Sequence, residues 1–236
     1  MDTTNDFVTN ALITTIQCYV GKRRLDRAID LYRAAFPAGR DDVFTISWHP
    51  FYLDPTAPAA SIPLRERLSQ RFGPDAWRAM TQRLALVGRE EGIGFSFDSR
   101  TGNTRDSHRL IQLGKAKGND VENRVVAELF RLYFEQNGDI TSRETLLQAA
   151  EGAGLDRAEA GDWLDGGKGG PEVDAEVDEA YAKGIHGVPN FTINGKYTID
   201  GAQDPQAFLE QFVRVKAGEN PQGATGAACT PGGEQC

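Results

Sequence analysis

Cysteine is scarce in this chain. Cys18, Cys229 and Cys236 are the only three in 236 residues. That is too few for a disulfide-stapled scaffold, and an odd number cannot all pair within one chain. Histidine is as rare, and His49, His108 and His186 show no ligand spacing with one another or with a cysteine pair, so no metal is expected. No apolar run approaches the roughly 20 residues that span a bilayer, so no membrane partner is expected. MDTTNDFVTN lacks a basic segment and ALITTI is too short for a secretory core, which predicts a cytoplasmic address. Positive charge is in deficit: 26 Lys and Arg against 34 Asp and Glu leave a net charge of −8. Nucleic acid is therefore not an expected partner, because phosphates need a basic face. The glycines at 166–170 fall between helices, not after a strand, and make no phosphate-binding loop.

What is present reads as an ordinary globular chain, 39% hydrophobic and 25% charged. The apolar, β-branched ALITTIQ suggests a weak first strand. Leu25, Ala28, Ile29 and Tyr32 then recur at helical spacing and predict a helix near 18–36, stopped by Pro37. Phe44, Ile46 and Trp48 alternate with polar residues and predict a strand ended by Pro50. A block of roughly six helical segments follows. Pro63 and Pro74 open two of them, Asn103 with Asp106 marks a third start, and Thr141 with Glu144 forms a capping-box pattern. NFTI, Asn194-Gly195 and KYTID predict a hairpin with a two-residue loop. Asp204 and Pro205 open a helix carrying Phe208 and Phe212. From Gly218 the chain is rich in Gly, Pro, Ala and Thr, a composition expected to stay disordered.

The order is strand, helix, strand, helical block, hairpin, helix. A βαβ unit completed by a ββα unit gives an α/β class: a thioredoxin fold with a large α-helical insertion. The expected division is residues 1–60 and 184–216 for the thioredoxin-like domain, 61–183 for the insertion, and 217–236 for the tail.

CYVGKRRLDRAI at Cys18, GNTRDSHRLIQLGKAKG in the insertion and GIHGVPNFTINGKYTIDGAQ before the hairpin resemble the DsbA-like thioredoxin family, in its FrnE-like branch. The resemblance covers about residues 18–215 and implies a thiol–disulfide oxidoreductase acting on protein or small-molecule thiols and disulfides. It implies a Cys-x-x-Cys at the head of the first helix, where this chain has Thr15-Ile16-Gln17-Cys18. Thr15 therefore occupies the nucleophile's place. A hydroxyl cannot form a disulfide, so a two-cysteine cycle is not expected there. The resemblance also makes Pro189 a cis-proline facing the catalytic helix, with Val188 presenting backbone to a substrate strand. His108 and Asn103 would overlook the site, although Asn103 also reads as a helix cap and His108 as a core histidine.

Three origins of the Thr15 anomaly stay open. The first 17 residues are a replaced segment on an intact body. Or the chemistry has changed, as in kappa-class glutathione transferases and chromene-carboxylate isomerases, where a hydroxyl residue holds the thiol of glutathione. Or the tail supplies the sulfur: Cys229 and Cys236 can pair with each other, and a tail of that length reaches on the order of 20–25 Å. Glutathione is the expected co-substrate, with no tightly bound cofactor. The competing readings are a glutathione-dependent transferase or isomerase using Thr15, and a non-catalytic peptide-binding module. Lys22, Arg23 and Arg24 read either as an attractor of glutathione carboxylates or as a solvated helix face.

Overall fold

The structure is a computed structural model that describes residues 5–10, 15–37 and 41–218. Strand β1 (Asn5–Asn10) leads to helix α1 (Ile16–Ala35) and strand β2 (Phe44–Ser47). The middle of the chain holds a two-residue strand β3 (Ile62–Pro63), helices α2 (Leu64–Phe72) and α3 (Pro74–Glu90), and β4 (Arg100–Thr101), which pairs with β3. Five more helices follow: α4 (Arg105–Lys117), α5 (Asn119–Phe134), α6 (Arg143–Gly152), α7 (Arg157–Asp165) and α8 (Gly170–Ala182). Strands β5 (Asn190–Ile193) and β6 (Tyr197–Asp200) and helix α9 (Pro205–Ala217) close the fold.

The four-stranded sheet has the order β2-β1-β5-β6. β1 runs parallel to β2, with Asn5 opposite Phe44, and antiparallel to β5, with Asn10 opposite Asn190. This is the βαβ plus ββα arrangement of a thioredoxin fold carrying a helical insertion. The first strand lies upstream of the ALITTIQ segment expected to form it, and Ile16 and Gln17 belong to α1. NDFVTN has little apolar alternation, so it is pairing on both sides, rather than local pattern, that makes it a strand.

Helix α1 serves two cores. Leu25, Ala28, Ile29 and Tyr32 pack with Phe191, Ile193, Phe208 and Phe212 of the sheet and α9. Its first turns bury Cys18, Tyr19 and Val20 against the helical block instead. Tyr19 stacks on Phe130 at 5.1 Å, and its hydroxyl donates to Glu135 Oε1 at 2.6 Å. Burial pushes the Tyr19 phenol well above its ordinary range, and the Glu135 carboxylate adds to that. Phe95, in the segment between α3 and β4, folds back onto Phe134.

Helix α4 is the centre of the block, with every residue from Ser107 to Gly114 buried. Arg109 is tolerated there because its guanidinium donates to Lys168, Trp163 and Leu164 carbonyls at the end of α7, at 2.9, 2.9 and 2.8 Å, and to Asp106 at 2.6 Å. At the end of β2, the Trp48 N–H donates to the buried Glu122 carboxylate at 2.6 Å, and Asn119 and Asn123 donate to Ile46 O at 2.6 and 2.9 Å.

Two local expectations fail. Thr141 does not cap α6. Its N–H and hydroxyl both go to Asp139 Oδ1, at 2.9 and 2.8 Å, and the helix begins at Arg143. The hairpin loop has three residues rather than two, with Ile193 opposite Tyr197. Asn194 and Gly195 take the positive φ values of 50° and 67° that their types favour, and Lys196 N–H closes the turn on Ile193 O.

Candidate active site

Thr15 is the N-cap of α1. Its extended backbone (φ −119°, ψ 138°) sets its hydroxyl over the first turn, where it accepts the Cys18 N–H at 3.1 Å. The same oxygen lies 2.6 Å from Cys18 Sγ. The sulfur itself is almost enclosed, with Cys18 only 1% exposed. One turn along α1, Gly21 meets the segment that leads into β5. A Cβ there would lie 3.1 Å from Pro189 Cγ and 2.8 Å from Phe191 Cζ. The Val188–Pro189 peptide bond is cis, Pro189 is buried, and Val188 packs onto the hydrophobic cluster that contains Cys18.

A cleft of about 690 Å³ opens at Thr15. Its walls are mostly apolar, from Ile16, Leu64, Leu68, Phe72, Leu84 and Val87. Arg24, Arg67, Arg71 and Arg83 also line it, against Asp54 as the sole acidic side chain among the described residues. Arg67 pairs with Asp54. Arg24 is held by Glu91 at 2.7 Å and by the Ala202 carbonyl at 2.7 Å, while Arg27 reaches the other Glu91 oxygen at 3.1 Å. The basic run on α1 is thus not a simple solvated face: Arg24 is half-buried, and Arg23 lies 5.7 Å over the Tyr19 ring.

Asn103 lines this cleft with Thr15. It precedes the α4 N-cap, Thr104, and its side chain accepts the Arg105 N–H at 2.9 Å. His108 lines neither large cleft. It is 2% exposed, with its ring 5.8 Å from that of Tyr52. Burial pushes its imidazole down to about 4, partly offset by Glu176 and a hydrogen bond to the Phe51 backbone. Val188 and Pro189 line a second cleft, of about 980 Å³, together with exposed His186. Cys229 and Cys236 lie outside the described residues.

Residues that sequence reasoning did not single out shape this second cleft. His49 Nδ1 sits 2.7 Å from Glu176 Oε2. Gln112 donates to Oε1 at 2.7 Å, and Lys115 lies 3.2 and 3.3 Å from the two oxygens. Burial raises the Glu176 carboxyl, but the hydrogen bonds from His49 and Gln112 and the charge of Lys115 outweigh it and hold the group down to about 2. The position of His49 just past a strand end was its one sequence signal. Among the described residues no cluster of three metal-ligating side chains forms, and no helix is long and apolar enough to cross a membrane.

The DSBA-like thioredoxin domain matches residues 17–213, and the chain belongs to that family. Among solved structures, a probable DsbA oxidoreductase from Streptomyces coelicolor is similar at 28% identity and a TM-score of 0.80, over 97% of both chains. The cytosolic disulfide reductase DsbM from Pseudomonas aeruginosa is similar in fold, with 17% identity, a TM-score of 0.56, and 89% of this chain and 99% of that one covered. A 2-hydroxychromene-2-carboxylate isomerase shares the fold at 16% identity and a TM-score of 0.61, over 90% and 97% of the two chains. No curated protein matches the chain.

Proposed function

We propose that this protein is a FrnE-like, cytoplasmic thiol–disulfide oxidoreductase that works with one active-site sulfur, Cys18, and takes its second thiol from glutathione or a protein. The observation that carries this reading is the 2.6 Å approach of Thr15 Oγ1 to Cys18 Sγ at the amino end of α1, one turn from the Gly21–Pro189 contact. A hydroxyl in the nucleophile's place closes off the internal disulfide but can hold a sulfur by hydrogen bond. In such a cycle the Cys18 thiolate attacks a substrate disulfide, forms a mixed disulfide and expels one substrate thiolate, which takes up a proton. An external thiolate then attacks the mixed disulfide and frees Cys18. Each turn takes up one external thiol, releases one substrate thiol and leaves the other substrate sulfur in a disulfide with the incoming thiol. A second external thiol attacking that product completes the reduction, so that two thiols are oxidised for each disulfide reduced.

The near-complete burial of Cys18 makes this exchange slow, which is the sense in which the site is impaired. Val188 and Pro189 would border the substrate, Asn103 would touch it from the insertion, and His108 would support Tyr52 from behind. A tail pair of Cys229 and Cys236 would act as an auxiliary dithiol.

One observation favours a second reading. Thr15, not Cys18, lines the 690 Å³ cleft, with apolar walls and four arginines around it. That arrangement suits glutathione held by Thr15 beside an apolar, carboxylate-bearing co-substrate, as in a kappa-type transferase or isomerase. The DsbM structure determined with GSH has this fold. Insulin reduction with glutathione separates the readings. Loss in Cys18→Ser with retention in Thr15→Val supports the first. Glutathione conjugation or isomerisation lost in Thr15→Val and kept in Cys18→Ser supports the second. Peptide binding without turnover of either kind would instead make the protein a binding module.

A further inference from the structure

The second cleft holds a histidine with its proton position fixed. Glu176 stays ionised down to about 2, and an ionised carboxylate only accepts hydrogen bonds. The 2.7 Å contact from His49 Nδ1 to Glu176 Oε2 therefore places the imidazole proton on Nδ1. In the neutral ring, Nε2 then carries the basic lone pair. Among the described residues no hydrogen bond engages Nε2, and the His49 side chain is 31% exposed at the cleft wall. Gln112 and Lys115 brace the far side of Glu176, so the carboxylate cannot swing away without losing both. A carboxylate-oriented imidazole with a free nitrogen, lining a cleft, is the arrangement of a general base.

The same cleft is bordered by Val188 and Pro189, the segment that Gly21 brings against the Cys18 helix. The single-sulfur cycle lacks a resolving cysteine, so besides access to the buried Cys18 it demands the deprotonation of an incoming external thiol. We infer that His49 is the catalytic base for that thiol and Glu176 its positioning residue, an inference that rests on the single-sulfur reading above. Nε2 of His49 takes the proton of a low-molecular-weight thiol such as glutathione. The resulting thiolate attacks the sulfur joined to Cys18, the new S–S bond leaves with the product, and the expelled Cys18 thiolate recovers a proton from the imidazolium.

The charged groups around His49 are Glu176 and Glu179 on α8, Lys115 on α4 and Glu122 on α5, and Lys183, His186 and Asp200 also line the cleft. Glutathione-dependent reduction of a small disulfide by the full chain, followed against pH, tests the assignment. His49→Gln should lower kcat on the order of 10²-fold at neutral pH with little change in KM for the disulfide. That deficit should close as pH approaches the thiol's own ionisation. Glu176→Gln should shift the acid limb to lower pH. A wild-type kcat and pH profile in His49→Gln overturns the assignment.

A second readout does not depend on turnover. Glutathione added to Cys18→Ser should give the ultraviolet thiolate band below the free thiol's ionisation range, with the His49 ring becoming imidazolium by NMR. The band should be missing in the Cys18→Ser, His49→Gln pair. Thiol that binds without a thiolate band, or does not bind, refutes the role of His49. A band without any disulfide exchange in the wild type refutes the single-sulfur cycle and leaves His49 standing.

Discussion

Gly21 and Pro189 are packed so closely that α1 and the strand-entry segment touch backbone to ring, with room for a hydrogen at Cα and for nothing larger. The contact joins the sulfur-bearing helix to the part of the chain that borders both β5 and the second cleft. It also makes Gly21 a sensitive position. Gly21→Ala gains helix propensity, but its methyl must push Phe191 or Pro189 aside. Overpacking of this kind costs about 1–3 kcal/mol, so urea unfolding should show a net loss of stability. A stabilised variant would mean that the two elements part easily.

Placing a sulfur at position 15 should change the chemistry. Thr15→Cys places a second thiol where a hydroxyl already reaches within hydrogen-bond distance of Cys18 Sγ. Mild oxidation should remove two more thiols per chain than in the parent, mass mapping should link 15 to 18, and insulin reduction should rise above that of the parent. Free thiols at both positions after oxidation would show that the helix start does not hold them together.

Acid should destabilise the fold in two windows. His108 is held neutral by burial, with its folded value lowered from 6.5 to about 4. The unfolded chain binds the extra proton first, so this stabilisation is complete above 6.5 and is lost as pH falls through about 4. Glu176 follows lower, from 4.5 toward about 2. Each shift is worth on the order of 3 kcal/mol. In His108→Leu the upper window should flatten, although loss of the hydrogen bond to the Phe51 backbone costs about 1 kcal/mol at neutral pH. Denaturation midpoints measured across pH would reveal an unchanged upper window if His108 were not the group responsible.

Glu122 titrates in the opposite sense. Burial raises its carboxyl above the ordinary 4.5, only partly countered by the Trp48 N–H. The folded chain therefore holds this proton longer, and stability falls as pH rises through the raised value. Glu122→Gln keeps an acceptor for Trp48 and removes the ionisation. The variant should lose stability less steeply on the alkaline side than the parent, and the two curves should converge in acid. Parallel curves across the whole range would contradict this.

Much of the architecture was legible because it is periodic. Leu25, Ala28, Ile29 and Tyr32 announce one buried face of α1, and proline marks the starts of α3 and α9. Thr15 and Cys18 could be placed together because three residues along a helix start is a local distance. The first strand was misplaced because NDFVTN is shaped by its neighbours β2 and β5. The partnership of His49 with Glu176 spans 127 residues, and that of Arg24 with Glu91 spans 67. No spacing rule connects such pairs, since only the packing of α8 and α3 brings them into reach.

The outermost strand β2 does not present a bare ladder at its end. Side chains of Asn119, Asn123 and Glu122 occupy Ile46 O and the Trp48 N–H, the backbone groups another chain would need in order to dock alongside. Helix α5 thus seals that margin of the sheet against edge-to-edge association. It does so with three polar residues on a single helix turn, so clipping those side chains should expose a sticky border long before it unfolds the core.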